Sequence, residues 1–229
     1  MIETRTETIP LTDGSSLRIT VAEPENAVRG GLVVLHETRG VTDTIHRLAG
    51  SLAEEGWLTI APHIYHGDEE HVDADQADER LDQLSGEAVL ADTDAACLWL
   101  ASHDIPSDRT GVIGFDLGGA VALVVASSRA LGAAVSVAGG GILAPLTNGL
   151  PSLVEVAGEL ACPWLGIYGD RDEHISTDEV EKLREAVNTS GVAADVVRFA
   201  EANHRFDTDQ DSAAEAWQRT LNWFDSHLR

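Results

Sequence analysis

Gly111-Val-Ile-Gly114-Phe-Asp116-Leu-Gly118-Gly119-Ala120 is the stretch of sequence that decides the fold. An apolar run of the length of a buried strand leads into Gly-x-Asp-x-Gly-Gly, and the apolar helical segment Leu117–Arg129 follows directly. This pattern is typical of a tight strand-to-helix turn that presents one side chain, in this sequence Asp116, above the edge of a sheet. The glycines are required where neighbouring backbone comes too close for a Cβ atom. A simpler interpretation is a glycine-rich helix start in which Asp116 only caps the helix.

Strands and helices alternate along the rest of the chain, and this alternation indicates the fold class. The predicted strands are Thr6–Leu11, Ser15–Ala22, Gly31–Leu35, Trp57–Ala61, Thr110–Phe115, Ala133–Ala138, Trp164–Tyr168 and Asp195–Phe199. The predicted helices are Thr42–Glu55, Glu79–His103 with a break near Gly86, Leu117–Arg129, Thr177–Ser190 and Ser212–Leu228. The pattern predicts an α/β protein with a mainly parallel central sheet, helices on both faces, and ligands beyond the carboxyl ends of the strands. The length of 229 residues fits one domain over residues 1–229.

The charge of the chain argues against two classes of partner. Its 39 acidic and 15 basic residues give a formal net charge of −24, which repels nucleic acid and anionic membranes. No apolar run approaches the roughly 20 residues that span a bilayer. The first residues have neither the basic nor the apolar region of a secretory signal, so we expect a cytoplasmic protein. We expect it to act on a small molecule, as a monomer or a small homo-oligomer.

One histidine-rich segment raises the question of a metal site. His63, His66, Asp68 and His71 lie close together in the sequence, but their spacing fits no standard set of metal ligands. We therefore interpret them as part of a long polar loop over His63–Asp78. The sequence predicts neither a metal nor another cofactor.

Two further polar residues follow predicted strands near the end of the chain. Asp172 lies in Gly169-Asp170-Arg171-Asp172, just past one late strand, and His204 lies in the loop after the last strand. Taken singly, an Asp-rich run is more often a turn and a loop histidine is more often solvated. Together with Asp116, however, they follow the chain order nucleophile, acid, histidine that is found in α/β-hydrolases. Because each follows a strand, we expect all three at one edge of the sheet.

With these residues in place, the chain resembles the dienelactone hydrolase family. The resemblance also includes Val33-Val-Leu-His36-Glu37-Thr-Arg-Gly40, Ala53-Glu-Glu-Gly56-Trp57, Ala61-Pro62 with Tyr65 beyond it, and Cys162-Pro163. It covers most of residues 31–206. The resemblance implies a compact α/β-hydrolase fold without a large cap domain, and hydrolysis of lactones and esters by a Cys-His-Asp triad.

The resemblance also implies roles for individual residues. The triad becomes Asp116, His204 and Asp172, and Glu37 matches the family's glutamate that contacts and helps to activate the nucleophile. The backbone N–H groups of Leu117 and Thr38 would form the oxyanion hole. We further expect Arg39, Tyr65 and Arg205 to contact the substrate.

The sequence departs from the family at the nucleophile, because Asp116 stands where its members carry cysteine. A carboxylate that attacks an acyl carbon forms a reactive anhydride, whereas one that attacks saturated carbon forms an ester that activated water can hydrolyse. The chain could therefore be a dehalogenase-like or epoxide hydrolase-like enzyme. Such enzymes, however, usually place tryptophan where this chain has Leu117, and epoxide openers use cap tyrosines. A third alternative is a non-catalytic relative that has lost its nucleophile.

The expected closeness of Asp116 and Glu37 has an electrostatic consequence. Two carboxylates in a partly buried site do not both ionise easily, so one of the two pKa values should rise. We therefore expect either that the pair shares a proton near neutral pH or that Arg39 or Arg205 neutralises it.

Overall fold

Within the described part of the chain, the fold is built on one sheet of eight strands. The structure, a computed structural model, describes residues 2–66 and 71–228. Its strands are β1 (Arg5–Pro10), β2 (Ser16–Ala22), β3 (Gly30–Leu35), β4 (Trp57–Pro62), β5 (Thr110–Phe115), β6 (Ala133–Val137), β7 (Trp164–Gly169) and β8 (Ala194–Phe199). Their order in the sheet is β1-β2-β4-β3-β5-β6-β7-β8. Pairing is antiparallel from β1 to β2 and from β2 to β4, and parallel from β4 onward, so the predicted mainly parallel sheet is confirmed.

Helices cover both faces of this sheet, as the alternating pattern predicts. They are α1 (Asp43–Glu54), α2 (Ala74–Gln83), α3 (Gly86–Ser102), α4 (Leu117–Ser128), α5 (Leu153–Val156), α6 (Thr177–Val187) and α7 (Gln210–His227). Apolar side chains of α1 and α7 belong to one core cluster, and those of α3, α4 and α6 belong to another. The two clusters lie on opposite sides of the sheet because successive side chains of a strand alternate between its faces.

The central strands show this two-sided burial directly. In β3, Leu32 and Val34 contribute to one cluster, while Val33 and Leu35 contribute to the other. All four side chains are at most 1% exposed. A continuous apolar run is therefore required in β3, since neither face of the strand meets solvent.

Two short helices differ from the sequence prediction. Helix α2 begins at Ala74, inside the stretch predicted as loop, and α5 was not predicted at all. Neither carries a long apolar repeat, because α2 has only three apolar residues among its ten and α5 has only four residues in all. The predicted helix break near Gly86 is confirmed, since α3 begins at that residue.

The sheet places several polar residues at one edge. Strands β3, β5, β7 and β8 are mutually parallel, and their carboxyl ends lead to Glu37, Asp116, Asp172 and His204 respectively. This is the edge at which ligands of such sheets bind. Among the described residues, no helix is long and apolar enough to cross a lipid bilayer.

Candidate active site

Asp116 occupies the apex of a strained turn between β5 and α4. Its φ of +53° and ψ of −114° lie where few residues other than glycine are found. A Cβ atom on Gly114 would overlap the carbonyl oxygen of Gly118, and one on Gly118 would overlap that of Leu35. The Asp116 side chain makes no capping bond to the helix. The simple N-cap interpretation of the motif is therefore excluded, and the turn serves to present a carboxylate above the sheet.

His204 bridges the two carboxylates that the sequence singled out. Its Nδ1 lies 2.7 Å from Oδ2 of Asp172, and its Nε2 lies 3.6 Å from Oδ1 of Asp116. The Asp172 side chain is 1% exposed, and its Oδ1 accepts hydrogen bonds from the backbone N–H groups of His174 and Ile175. The fixed carboxylate orients the imidazole, so that Nε2 faces the apex of the turn.

The neighbouring charges decide the protonation of the three residues. Burial alone would lower the pKa of His204, but interactions with Asp116 and Asp172 outweigh it and raise this pKa to about 9. Burial raises the pKa of each aspartate, yet the contacts with His204 and with backbone N–H groups bring both pKa values below the usual range. Near neutral pH the site therefore holds an imidazolium between two carboxylates.

The loop after β3 contacts the second oxygen of Asp116. The backbone N–H and the side-chain hydroxyl of Thr38 both donate to Oδ2, at 3.4 and 3.1 Å. Tyr65, expected to contact substrate, instead donates its hydroxyl to the Thr38 carbonyl at 2.7 Å and does not line the cavity. Leu117, the other expected oxyanion-hole residue, begins α4 next to Asp116 and has a fully buried side chain.

Glu37 is paired with an arginine from the last loop. One nitrogen of Arg205, Nη2, lies 3.1 Å from both carboxylate oxygens of Glu37. Of the two outcomes expected for the carboxylate pair, the structure therefore favours neutralisation by Arg205. The expectation of a raised pKa is wrong for Asp116, because His204 supplies a positive charge that the sequence argument left out.

A cavity of about 770 Å³ opens above these residues. It is lined by Glu37, Thr38, Arg39, Asp116, His204 and Arg205 among the residues singled out from the sequence. The lining also includes residues that sequence reasoning missed, namely Ala77, Leu81, Gly140, Gly141, Ile142, Leu146, Arg171, Glu173, His174, Ile175, Glu179, Asn203 and Thr208. Many of these follow β6 or β7, so the rule that ligands bind at strand carboxyl ends could have indicated them.

His174, one of the missed residues, contacts the triad. Its ring packs edge-on against His204, with 5.2 Å between the ring centroids. Arg39 differs from the other arginines of the cavity, because no carboxylate of the described residues pairs with it. Its Nε is buried without a hydrogen-bond partner among those residues.

Two histidines of the histidine-rich segment, His63 and His66, are held by hydrogen bonds to other side chains. His63 is buried and bonds to Thr20 at 2.9 Å, while His66 pairs with Asp92 at 2.7 Å. Asp68 lies outside the described residues. Within residues 2–66 and 71–228, no group of three or more potential ligand side chains could hold a metal ion.

Comparisons with known proteins agree with one another. The family described as "Dienelactone hydrolase family" matches residues 17–228. A Yersinia pestis protein named "Putative carboxymethylenebutenolidase" is 31% identical over 234 residues, covering 96% of this chain and 87% of that protein. A Rhodococcus opacus protein named "Carboxymethylenebutenolidase" is 27% identical, covering 86% and 81%. The crystal structure titled "Putative Dienelactone Hydrolase" from Klebsiella pneumoniae superposes with a TM-score of 0.86 at 31% identity, covering 98% and 99%.

Proposed function

Because the chain belongs to the dienelactone hydrolase family and is a hydrolase, we propose that it cleaves a small ester or lactone through Asp116, His204 and Asp172. The observation that carries this proposal is the position of His204, with Nδ1 on Asp172 and Nε2 3.6 Å from Asp116 at the apex of the turn. The names of the relatives support a lactone as substrate.

The resting charges suit attack by a carboxylate. Asp116 is ionised and needs no base, while His204 starts as an imidazolium and acts first as an acid. In the first step Oδ1 of Asp116 bonds to the acyl carbon, and the bond from that carbon to the leaving oxygen breaks. The leaving oxygen takes the proton from Nε2 of His204. An ester gives a free alcohol and an anhydride on Asp116, whereas a lactone gives a single anhydride whose acyl part carries the new hydroxyl.

Water completes the cycle. His204, now neutral and oriented by Asp172, takes a proton from a water molecule whose oxygen bonds to Cγ of Asp116. The bond from Cγ to Oδ1 breaks, and the substrate acid leaves as a carboxylate that carries this oxygen. Asp116 then loses its remaining proton to solvent, which restores the resting carboxylate and imidazolium.

This chemistry favours activated esters. A carboxylate is a weak nucleophile, so it displaces a weakly basic phenol or enol oxygen more readily than an alkoxide. In the cavity, the apolar side chains of Leu81, Ile142 and Leu146 can accept the hydrocarbon part of a substrate. The guanidinium of Arg39 can bind a carboxylate or carbonyl of the substrate.

Attack on saturated carbon is the second candidate function, and the aspartate at the apex is the observation that favours it. Such a reaction would displace halide or open an epoxide and leave an alkyl ester on Asp116. A departing halide needs no proton, so the imidazolium of His204 would have no task in the first step of dehalogenation. The oxygen of an opening epoxide could take that proton, but epoxide openers use tyrosines from a cap, and this fold has no large cap domain. We therefore favour ester or lactone cleavage.

The test compares the purified protein with Asp116→Ala and His204→Ala on an enol lactone, aryl esters, a haloalkane and an epoxide. We expect lactone and aryl-ester hydrolysis that both substitutions reduce by at least about a hundredfold. Asp108→Asn serves as the matched control, because it removes an exposed carboxylate that lies shortly before β5. Single turnover in ¹⁸O-labelled water should place the label in Asp116. Halide or diol release without ester hydrolysis would establish the second candidate instead.

Asp116→Cys tests the surrounding machinery separately. Because His204, Asp172 and Thr38 stay in place, the thiol variant should hydrolyse p-nitrophenyl acetate faster than the wild-type protein. If the folded variant shows no gain, the surroundings of the apex are not arranged as in the thiol enzymes of the family. If the wild type is inactive while Asp116→Cys is active, the chain is a relative that has lost its nucleophile.

A further inference from the structure

Both contacts of Thr38 with Asp116 are made to one carboxylate oxygen, Oδ2. Its hydroxyl lies 3.1 Å and its backbone nitrogen 3.4 Å from Oδ2, whereas Oδ1 faces His204. The side-chain contact is the shorter of the two. One residue therefore aims two donors at the same oxygen, and that oxygen is not the one placed for attack.

The peptide groups on both sides of Thr38 are held by hydrogen bonds. The Tyr65 hydroxyl donates to the Thr38 carbonyl, and Nδ1 of His36 lies 2.7 Å from the Glu37 carbonyl. The N–H of Gly40 donates to the same Glu37 carbonyl at 3.0 Å. These bonds fix the loop, so the orientation of Thr38 towards Asp116 is set before substrate arrives.

We propose that the Thr38 hydroxyl is a catalytic group that stabilises negative charge on Oδ2 of Asp116 during hydrolysis of the covalent intermediate. The inference rests on the proposed function, in which water attacks Cγ of Asp116. It goes beyond the oxyanion hole expected from the backbone N–H groups, because it assigns the stabilisation to a side chain.

The physical reason is where the charge develops. With a cysteine or serine nucleophile, the oxyanion forms on the carbonyl oxygen of the substrate. With an aspartate nucleophile, water attack at Cγ puts the oxyanion on Oδ2 of the enzyme itself. This oxygen is close to neutral in the anhydride and carries a full charge after attack, so a donor aimed at it stabilises the transition state more than the intermediate.

Thr38→Val and Thr38→Ser separate the hydroxyl from the bulk of the side chain. Valine keeps the β-branch and the backbone N–H, while serine keeps the hydroxyl. Thr42→Val is the matched control in the same part of the chain, because among the described residues the Thr42 hydroxyl has no hydrogen-bond partner. We expect Thr38→Val to lower kcat on an aryl ester by roughly a hundredfold at similar KM. Thr38→Ser, which restores the hydroxyl, should recover most of the activity that Thr38→Val loses, and Thr42→Val should stay within a few-fold of wild type.

A second measurement does not depend on turnover. The carboxyl ¹³C signal of Asp116 should titrate at higher pH in Thr38→Val than in the wild type, because a donor to the ionised form is lost. Thr38→Ser and Thr42→Val should leave this titration close to that of the wild type.

The two measurements distinguish failure of the inference from failure of the proposed function. An active wild type with an equally active Thr38→Val would overturn the role of the hydroxyl. An inactive wild type would refute the proposed function, and with it any catalytic role of Thr38. The titration would then still show whether the hydroxyl holds the Asp116 carboxylate, and an unshifted titration in Thr38→Val would refute that contact as well.

Discussion

Replacing Asp116 by asparagine should lower the pKa of His204 and weaken the pH dependence of stability. The substitution removes one of the two carboxylates beside the imidazole and keeps the other, Asp172, 2.7 Å away. Asparagine tolerates the positive φ of the turn better than most residues, so the variant should fold. The change therefore isolates the charge of Asp116 from the geometry of the turn.

The size of the effect follows from the pKa of His204. This pKa is 6.5 for an unperturbed histidine and about 9 in the folded protein, where the side chain is 21% exposed. A difference of this size corresponds to about 3 kcal/mol of folding free energy. Since the folded pKa is the higher one, the contribution is complete below pH 6.5 and is lost as the pH rises through about 9. Removing one of two carboxylates should abolish at least about 1 kcal/mol of it.

Two assays measure this change. Urea unfolding at about pH 6 and about pH 9.5 gives the stability difference between the two protonation states, and an imidazole NMR titration gives the pKa of His204 directly. The wild type should lose about 3 kcal/mol between the two pH values, and Asp116→Asn should lose clearly less. Asp108→Asn, which removes an exposed carboxylate, should behave as the wild type. A wild-type His204 that titrates near 6.5, and equally so in Asp116→Asn, would refute the assignment of charges at the site.

Three further substitutions test other parts of the site. Gly118→Ala should lower the free energy of unfolding by about 2 kcal/mol or more in urea, because its Cβ would overlap the Leu35 carbonyl. An unchanged free energy of unfolding would contradict this close approach of Gly118 to Leu35. Tyr65→Phe should cost about 1 kcal/mol through the lost bond to Thr38 and should lower kcat more than it changes KM; an effect on KM alone would instead indicate substrate contact. Arg39→Gln should raise KM about tenfold for a carboxylate-bearing ester and little for its neutral analogue; equal changes for both esters would contradict the assignment of Arg39 to anion binding.

Local sequence was sufficient to predict the sheet and the apex of the turn. The continuous apolar run of β3 reflects burial on both faces of the strand. The glycines around Asp116 reflect the close approach of neighbouring backbone. Each constraint acts on a short stretch of the chain, so the local sequence shows it. The predicted α/β-hydrolase fold without a large cap domain is confirmed by the family match and by the Klebsiella pneumoniae structure. Helix α2 was partly missed because seven of its ten residues are polar or charged, a composition that also fits a surface loop.

Chain order also determined that Asp116, Asp172 and His204 would meet, since each follows a strand and parallel strands end at one edge. Only the tertiary structure decided the contacts between loops that are distant in sequence. In the folded chain Arg205 pairs with Glu37, and the Tyr65 hydroxyl donates to the Thr38 carbonyl. The Thr38 hydroxyl in turn donates to Asp116. Side-chain direction and the choice among nearby partners depend on how loops pack in three dimensions, and no spacing along the chain encodes them.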